Sequence, residues 1–277
     1  DNAASELKIL ESTGATYYGI FDIADLSADR TYTFPDTTGT VALTTNVRGG
    51  YFSGDMPTWQ SATTVRVPTG YKAIDPDTGV AITAAGNLDV VISGSGALGL
   101  DTGAEAADTW YYIWIISKAD GTTSAMLSLS TTAPTMPTDY INKSRLHAVR
   151  NDASSDIDWF QAFREGDWWH VVGIGNPASY LSWTATTAVT SYDISPYVPA
   201  TATKMEGRVI LQSVSSSDAT LNYYDDTEAY FLTQWRTIEG TFTARIEMEL
   251  TTAQVLHLGV TESGAGSVQL HLSGWYE

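Results

Sequence analysis

Trp110-Tyr111-Tyr112-Ile113-Trp114-Ile115-Ile116 is apolar at every position. Alternation is the mark of a strand with one wet face, so a strand without it is covered on both faces and sits at the centre of its sheet. Asp120-Gly121 follows, a hairpin turn signal of two residues, and Ser124 to Ser130 reads as the returning strand. An antiparallel pair at the centre of an all-β domain is the expectation.

The grammar repeats in both directions. Thr63 to Val67, Leu88 to Ile92, Trp159 to Phe163 and Trp168 to Val172 are strand-like, and Gly173-Ile174-Gly175-Asn176-Pro177 marks a boundary. Beyond it come Ser182 to Thr187, Lys204 to Val214, Thr241 to Leu250, Gln254 to Val260 and Val268 to Trp275. The last two sort cleanly if Glu262 opposes Gly266 across Ser263-Gly264-Ala265. Leu256, Leu258, Val260, Val268, Leu270 and Leu272 then share one face, while His257 and His271 face each other on the other. Before Tyr51 the chain offers only short extended pieces, Leu7 to Leu10, Tyr17 to Ile23, Thr31 to Phe34 and Gly39 to Leu43. They hold too few apolar residues for a private core and must pack on something else, most simply copies of themselves. Helical signals are poor, and Gly103 to Asp108 gives one turn at most. The expected architecture is all-β: an extended trimerising stem at 1–49, then antiparallel β-sandwich domains at 50–173 and 174–277.

Composition narrows the function. The 277 residues carry 14 Lys and Arg against 32 Asp and Glu, a formal net charge of −18. Such a chain repels phosphate backbones and anionic lipid, so nucleic acid is not expected as a partner. No apolar stretch has the length of a membrane span, and Asp1 to Leu10 reads as no signal peptide, so membrane insertion is not expected either. Asp1 is expected to follow a longer sequence or a removed tag. The absence of cysteine excludes disulfides and thiolate metal sites. Nine Trp and fifteen Tyr supply amphipathic surface that can pack inward or bind outward.

Three motifs raise the question of chemistry. Gly94-Ser95-Gly96-Ala97-Leu98-Gly99 matches the dinucleotide pattern, but Leu100-Asp101-Thr102-Gly103 cannot open the helix whose N-terminus would meet a pyrophosphate. Asp-Thr-Gly occurs at Asp77-Thr78-Gly79 and Asp101-Thr102-Gly103, as in the catalytic loops of retropepsin-like aspartic proteases. Within one chain the two lie too close to come from two lobes, and no flap can be placed downstream. Asp75 to Gly79 begins like a calcium loop, yet Gly86 stands where the closing Glu would. Asp152, Asp156 and Asp158, and Asp225, Asp226 and Glu228, are looser acidic clusters read as solvated loops, and the His257 and His271 pair lacks a third ligand. No catalytic, cofactor-binding or metal residue is assigned, and no cofactor is expected.

Asp29-Arg30-Thr31-Tyr32-Thr33-Phe34-Pro35-Asp36-Thr37-Thr38-Gly39-Thr40-Val41-Ala42-Leu43 resembles a signature of tailed-bacteriophage tail fibres and other virion appendages. Leu7 to Gly14 and Tyr18 to Phe21 are similar to the strand pair that precedes it there. Pro134-Thr135-Met136-Pro137-Thr138-Asp139-Tyr140 resembles a link between two strands in a β-domain of these fibres, with Asp139 where the family has Gly. Asp193 to Pro199 and Leu270 to Tyr276 resemble its distal sandwich. The resemblance implies a non-enzymatic virion structural protein on tail or head. It would be homotrimeric, attached to other virion proteins, and would present a surface to a host glycan or envelope protein. The alternatives are a capsid decoration or neck protein, a carbohydrate-binding module, and a fibre-borne depolymerase, whose stacked β-helix repeats this sequence lacks.

Overall fold

The computed structural model describes residues 7–10, 18–21, 52–165, 168–172, 180–183, 189–224, 231–250, 254–261 and 265–277. Contacts divide the chain into two units, Asp1–Leu43 and Thr44–Glu277. Among the described residues every regular element is a β-strand and every strand pair is antiparallel, so the chain is all-β. In the first unit β1 (Leu7–Leu10) pairs with β2 (Tyr18–Phe21), from Leu7↔Phe21 to Leu10↔Tyr18. Both strands match expectation; Thr31 to Phe34, Gly39 to Leu43 and the rest of the 29–43 signature lie outside the described residues.

The second unit opens with β3 (Thr58–Ser61), β4 (Thr64–Val67), β5 (Lys72–Ile74), β6 (Ala81–Thr83) and β7 (Leu88–Val91). Next come β8 (Thr109–Lys118), β9 (Thr123–Ser128) and β10 (Tyr140–Asn151), a three-stranded sheet with β8 in the middle. As its unbroken apolar run requires, β8 is covered twice. Tyr111, Ile113 and Ile115 enter the main core beside Val65, Val67 and Val90. Tyr112, Trp114 and Ile116 form a second cluster with Met126 and Ala148. The turn to β9 holds three residues, Ala119 to Gly121, one more than the Asp-Gly signal implied: Lys118 N–H donates to Thr122 O at 2.9 Å. Gly121 closes it at φ +86°, the left-handed position of a three-residue hairpin loop.

Unpaired sheet edges invite foreign strands, and both edges of this sheet are stopped. Along β9, Leu98 N–H donates to Ala125 O while Leu127 and Asp101 N–H donate to Gly99 O and Leu127 O. Along β10 two carboxylates act as acceptors: Asp75 Oδ2 from Lys143 N–H at 2.9 Å and Glu277 Oε2 from Ala148 N–H at 3.1 Å.

The remaining strands are β11 (Gln161–Glu165), β12 (Trp168–Val172), β13 (Tyr180–Trp183), β14 (Thr190–Asp193), β15 (Lys204–Tyr224), β16 (Phe231–Glu249), β17 (Val255–Thr261) and β18 (Ala265–Tyr276). They build long antiparallel lanes. β16 follows β15 from Glu249↔Lys204 to Phe231↔Tyr224. The other edge of β15 takes β18 along Lys204 to Ser213 and β17 along Thr220 to Tyr224. β12, β13 and β14 line the far side of β18 and β17, with Val172↔Gly274, Tyr180↔His271 and Thr190↔Leu258.

The expected hairpin of β17 with β18 is therefore corrected. The two strands run in line along β15, and His257 lies opposite Tyr224 and Ser191, not opposite His271, which faces Arg208 and Tyr180. Sorting by face survives, since Leu256, Leu258, Leu270 and Leu272 are all buried. Alternation fixes which face of a strand turns inward and carries no information about the neighbour beside it. With 21 residues, β15 has edge enough for both.

The boundary expected at Gly173 to Pro177 lies outside the described residues, and the stretches 50–173 and 174–277 contribute strands to one sheet and side chains to one core within the second unit. β11 and β12 form a hairpin whose outer partners are β3 and β18. Trp110 meets Trp275 edge-on at 5.1 Å between ring centres and donates its indole N–H to Ser195 O at 2.8 Å.

Candidate functional site

The sheet run β11-β3-β4-β7 has one face in the core and one in solvent. Its inward set is Val65, Val67, Leu88, Val90, Phe160 and Ala162. Period-two alternation sends their neighbours outward. Across residues 159–163 the sequence reads exposed, buried, exposed, buried, exposed. Trp159 stays 45% exposed and Phe163 43%, with exposed Gln161 between them.

The next strand extends this surface. Gln161 pairs with Thr58, and paired residues project from the same face. Thr58 Oγ1 accepts a hydrogen bond from Gln60 Nε2 at 2.9 Å. Thr58 in turn lies opposite Arg66, and Arg66 opposite Asp89. Arg66 grips Asp89 with both arms, Nε to Oδ1 at 2.6 Å and Nη2 to Oδ2 at 2.8 Å. Those bonds hold the Asp89 carboxyl below the usual carboxylate range and raise the Arg66 guanidinium. The result is a sheet face that carries the Phe163 ring, with the Trp159 ring exposed just before β11, amides and hydroxyls nearby, and one ion pair whose charges cancel. It can stack on a flat apolar surface and exchange hydrogen bonds beside it.

The sequence motifs lie elsewhere, and those among the described residues have structural occupations. Gly99 sits where an added Cβ would come within 2.3 Å of Gly94 C, so the glycines of 94–99 permit a tight crossing of backbone. Asp101 Oδ2 accepts from Ser128 Oγ at 2.7 Å and Thr135 N–H at 2.8 Å, and its Oδ1 accepts from Thr102 N–H. Asp77 pairs with Lys143 Nζ at 2.6 Å, and the buried Asp75 Oδ1 accepts from Asp77 and Thr78 N–H. Asp152 Oδ1 gathers Ser154 and Asp156 N–H, while Asp158 lies 3.9 Å from Arg150. Among the described residues no three His, Cys, Asp or Glu are grouped to hold a metal ion; Asp225, Asp226 and Glu228 lie outside them.

A recess of about 400 Å³ opens between β6, the β8–β9 turn and the start of β10, with Val80 and Ile141 exposed at its rim. Its buried polar groups are already joined, Asn142 Nδ2 to Ser117 Oγ at 3.1 Å. The sequence reading placed a strand at Trp159 to Phe163, where the structure begins it two residues later at Gln161, and saw no site there. The signal was there, because a wet Gln161 puts Trp159 and Phe163 on the wet side with it.

No protein-family model and no curated protein matches the chain. Among solved structures, one of Bacillus endospore appendages, described as disulfide-linked pili, has TM-score 0.26 at 11% identity, covering 35% of this chain and 81% of that one. A carbohydrate-binding module specific for non-crystalline cellulose has TM-score 0.17 at 10% identity, covering 46% and 78%. Infectious bursal disease virus Gx strain gives 0.16 at 9%, covering 82% and 76%. Scores this low define no common fold, and no role is carried over from these proteins.

Proposed function

We propose that the chain is a non-enzymatic structural protein of a tailed-phage virion appendage, a fibre that recognises the host through the outer face of β11-β3-β4-β7. The observation that carries the recognition half is the pair of half-exposed rings, Phe163 on β11 and Trp159 two residues before that strand begins, beside a sheet whose other side is core. Phe163, fixed by the strand, binds without the ordering cost that a loop would add, and Trp159 is followed at once by the buried Phe160 that anchors its backbone. The virion half rests on the resemblance of Asp29 to Leu43 to the appendage signature, and on a first segment too poor in apolar residues to fold alone. A homotrimer sharing that segment supplies the missing core, and the net charge of −18 keeps a crowded particle surface soluble.

The experiment is immunogold labelling of particles with antibody to residues 52–277, together with light scattering of the purified chain. Label on an appendage and three times the 29.9 kDa chain mass are expected. Label on the capsid shell moves the protein to the decoration reading. A monomer bearing residues 1–49 that decorates no particle makes it a free-standing binding module.

A further inference from the structure

The outer face restricts what it can bind. Trp159 and Phe163 are four residues apart, Phe163 on β11 and Trp159 two residues before it, with burial alternating from 159 to 163. Strand geometry places their ring-bearing positions at most about 13 Å apart, roughly two to three times the reach of one sugar ring. A ligand touching both must be extended and must offer a flat apolar patch at each end. Between them stands Gln161, with Thr58 opposite and Gln60 bonded to Thr58, so the middle of the ligand meets an amide and a hydroxyl. Pyranose sugars present this alternation: an apolar face of C–H groups that covers an aromatic ring, and an equator of hydroxyls that both donate and accept.

Charge narrows the class further. On this face Arg66 and Asp89 neutralise each other at 2.6 and 2.8 Å. The chain as a whole stands at −18, so an acidic polymer is repelled on approach. A cationic ligand finds Asp89 already held by Arg66.

Resting on the surface-recognition reading above, we infer that the ligand is an uncharged oligosaccharide of at least three sugars lying along β11. Its outer sugars stack on Trp159 and Phe163, and a middle sugar hydrogen-bonds to Gln161.

The test is binding of the full chain to an array of neutral and acidic bacterial-surface glycans graded by length, with titration of the best hits. Neutral glycans of three or more sugars should bind and their monosaccharides should not. Trp159→Ala and Phe163→Ala should each weaken binding about thirtyfold, the size of an interface hot spot. Gln161→Glu, which keeps the shape of the side chain and removes its donor, should weaken it about tenfold. Val80→Ser and Ile141→Ser, at the separate recess, should change nothing. Unfolding curves for each variant separate loss of ligand from loss of fold. Equal binding of mono- and trisaccharides, a preference for acidic glycans, or binding unchanged in Gln161→Glu and Trp159→Ala overturns the inference. Host cells bound through Trp159 with no glycan bound also overturns it and leaves the recognition reading standing. Loss of neither glycan nor cell binding on changing both rings overturns the two together.

Discussion

β8 and β17 are each followed within a few residues by another strand, and the two following strands lie in opposite ways. After β8 the chain reverses within Ala119-Asp120-Gly121, and β9 returns along β8 with Ser117 opposite Thr123. β18, by contrast, does not return along β17 but lies along the same edge of β15, beginning at Ala265 opposite Ser213. The difference lies in what each strand finds beside it. β8 belongs to a three-stranded sheet whose nearest available edge is its own successor. β17 comes after β15 and β16 have already formed a ladder from Lys204 to Tyr224, whose second edge can take it whole. A tight turn is decided by its own residues, whereas a long lane is decided by an edge built earlier in the chain.

The sharpest way to break this contrast is covalent. The chain has no cysteine, so engineered pairs report without interference. A disulfide needs Cα atoms within about 7 Å. Arg208→Cys with His271→Cys, opposite one another on β15 and β18, should cross-link within a chain under mild oxidation. His257→Cys with His271→Cys should not. Mass spectrometry of the non-reduced protein reads both results, and an intramolecular bond in the second pair would restore the hairpin.

The same contrast explains what could be read in advance. The centrality of β8 was legible because seven consecutive apolar residues have only one placement, between two covered faces. The burial of Leu256, Leu258, Leu270 and Leu272 was legible because alternation is local. The partner of β17 was not, since it depends on the edge Thr220 to Tyr224 far upstream, which alternation does not encode. At the outer face the strand was legible and its use was not. Trp159 and Phe163 count as core candidates until Gln161 assigns their side, and the neighbouring Thr58 and Arg66 come from strands far away in sequence.

The two regions are tied where Glu277, just past β18, plugs the edge of β10, and pH probes that tie. Its side chain is fully buried, accepts from Ala148 N–H and Thr201 Oγ1, and lies 3.8 Å from Arg145 Nη1. Burial pushes the Glu277 carboxyl up, beyond what Arg145 and its hydrogen bonds offset. Next to Ala148, the fully buried His147 is held to about 4, first by burial and then by Arg145, against the pull of its bond to Ala148 O. A depressed histidine contributes stability above its unfolded pKa, and that share is lost as pH falls from 6.5 towards about 4. The share is about 3 kcal/mol, at 1.4 kcal/mol per pH unit. Glu277, with its pKa raised, works in the opposite sense and is relieved of its penalty as pH falls. Wild-type stability should therefore drop on acidification by less than the histidine alone dictates. Glu277→Gln should steepen the drop and His147→Gln should flatten it, read from urea unfolding at pH 7 and pH 4.5. Parallel profiles for all three would sever the tie.

A smaller effect is expected at the second tie, where Trp110 on β8 reaches Ser195 O and the edge of Trp275. Trp110→Phe keeps a ring but removes the donor and changes the edge contact, at a cost of about 2 kcal/mol. Both regions should still melt in one transition, since they share a core. Two separated transitions, seen by tryptophan fluorescence and circular dichroism, would show that the short-turn and long-lane regions fold independently.

The smallest effect belongs to a turn, and it tests whether turns here are governed by their own residues. Pro134 to Tyr140 leads from β9 to β10, closing with Tyr140 N–H donating to Pro137 O at 3.1 Å. The residue before Tyr140 is Asp139, at φ +67°, the left-handed conformation that a Gly adopts without cost. Asp tolerates that region better than most residues, and Lys118 Nζ lies 3.4 Å from its carboxylate. Asp139→Gly removes the left-handed penalty, but it loosens the unfolded chain and discards an exposed ion pair worth at most about 1 kcal/mol. The expected net change is within about 0.5 kcal/mol of zero. Asp139→Val puts a β-branched side chain in the same conformation and should cost about 1 kcal/mol or more. Urea unfolding at neutral pH measures both. If the valine variant matches wild type, residue 139 is not held left-handed by its neighbours, and this turn is not governed by its own residues.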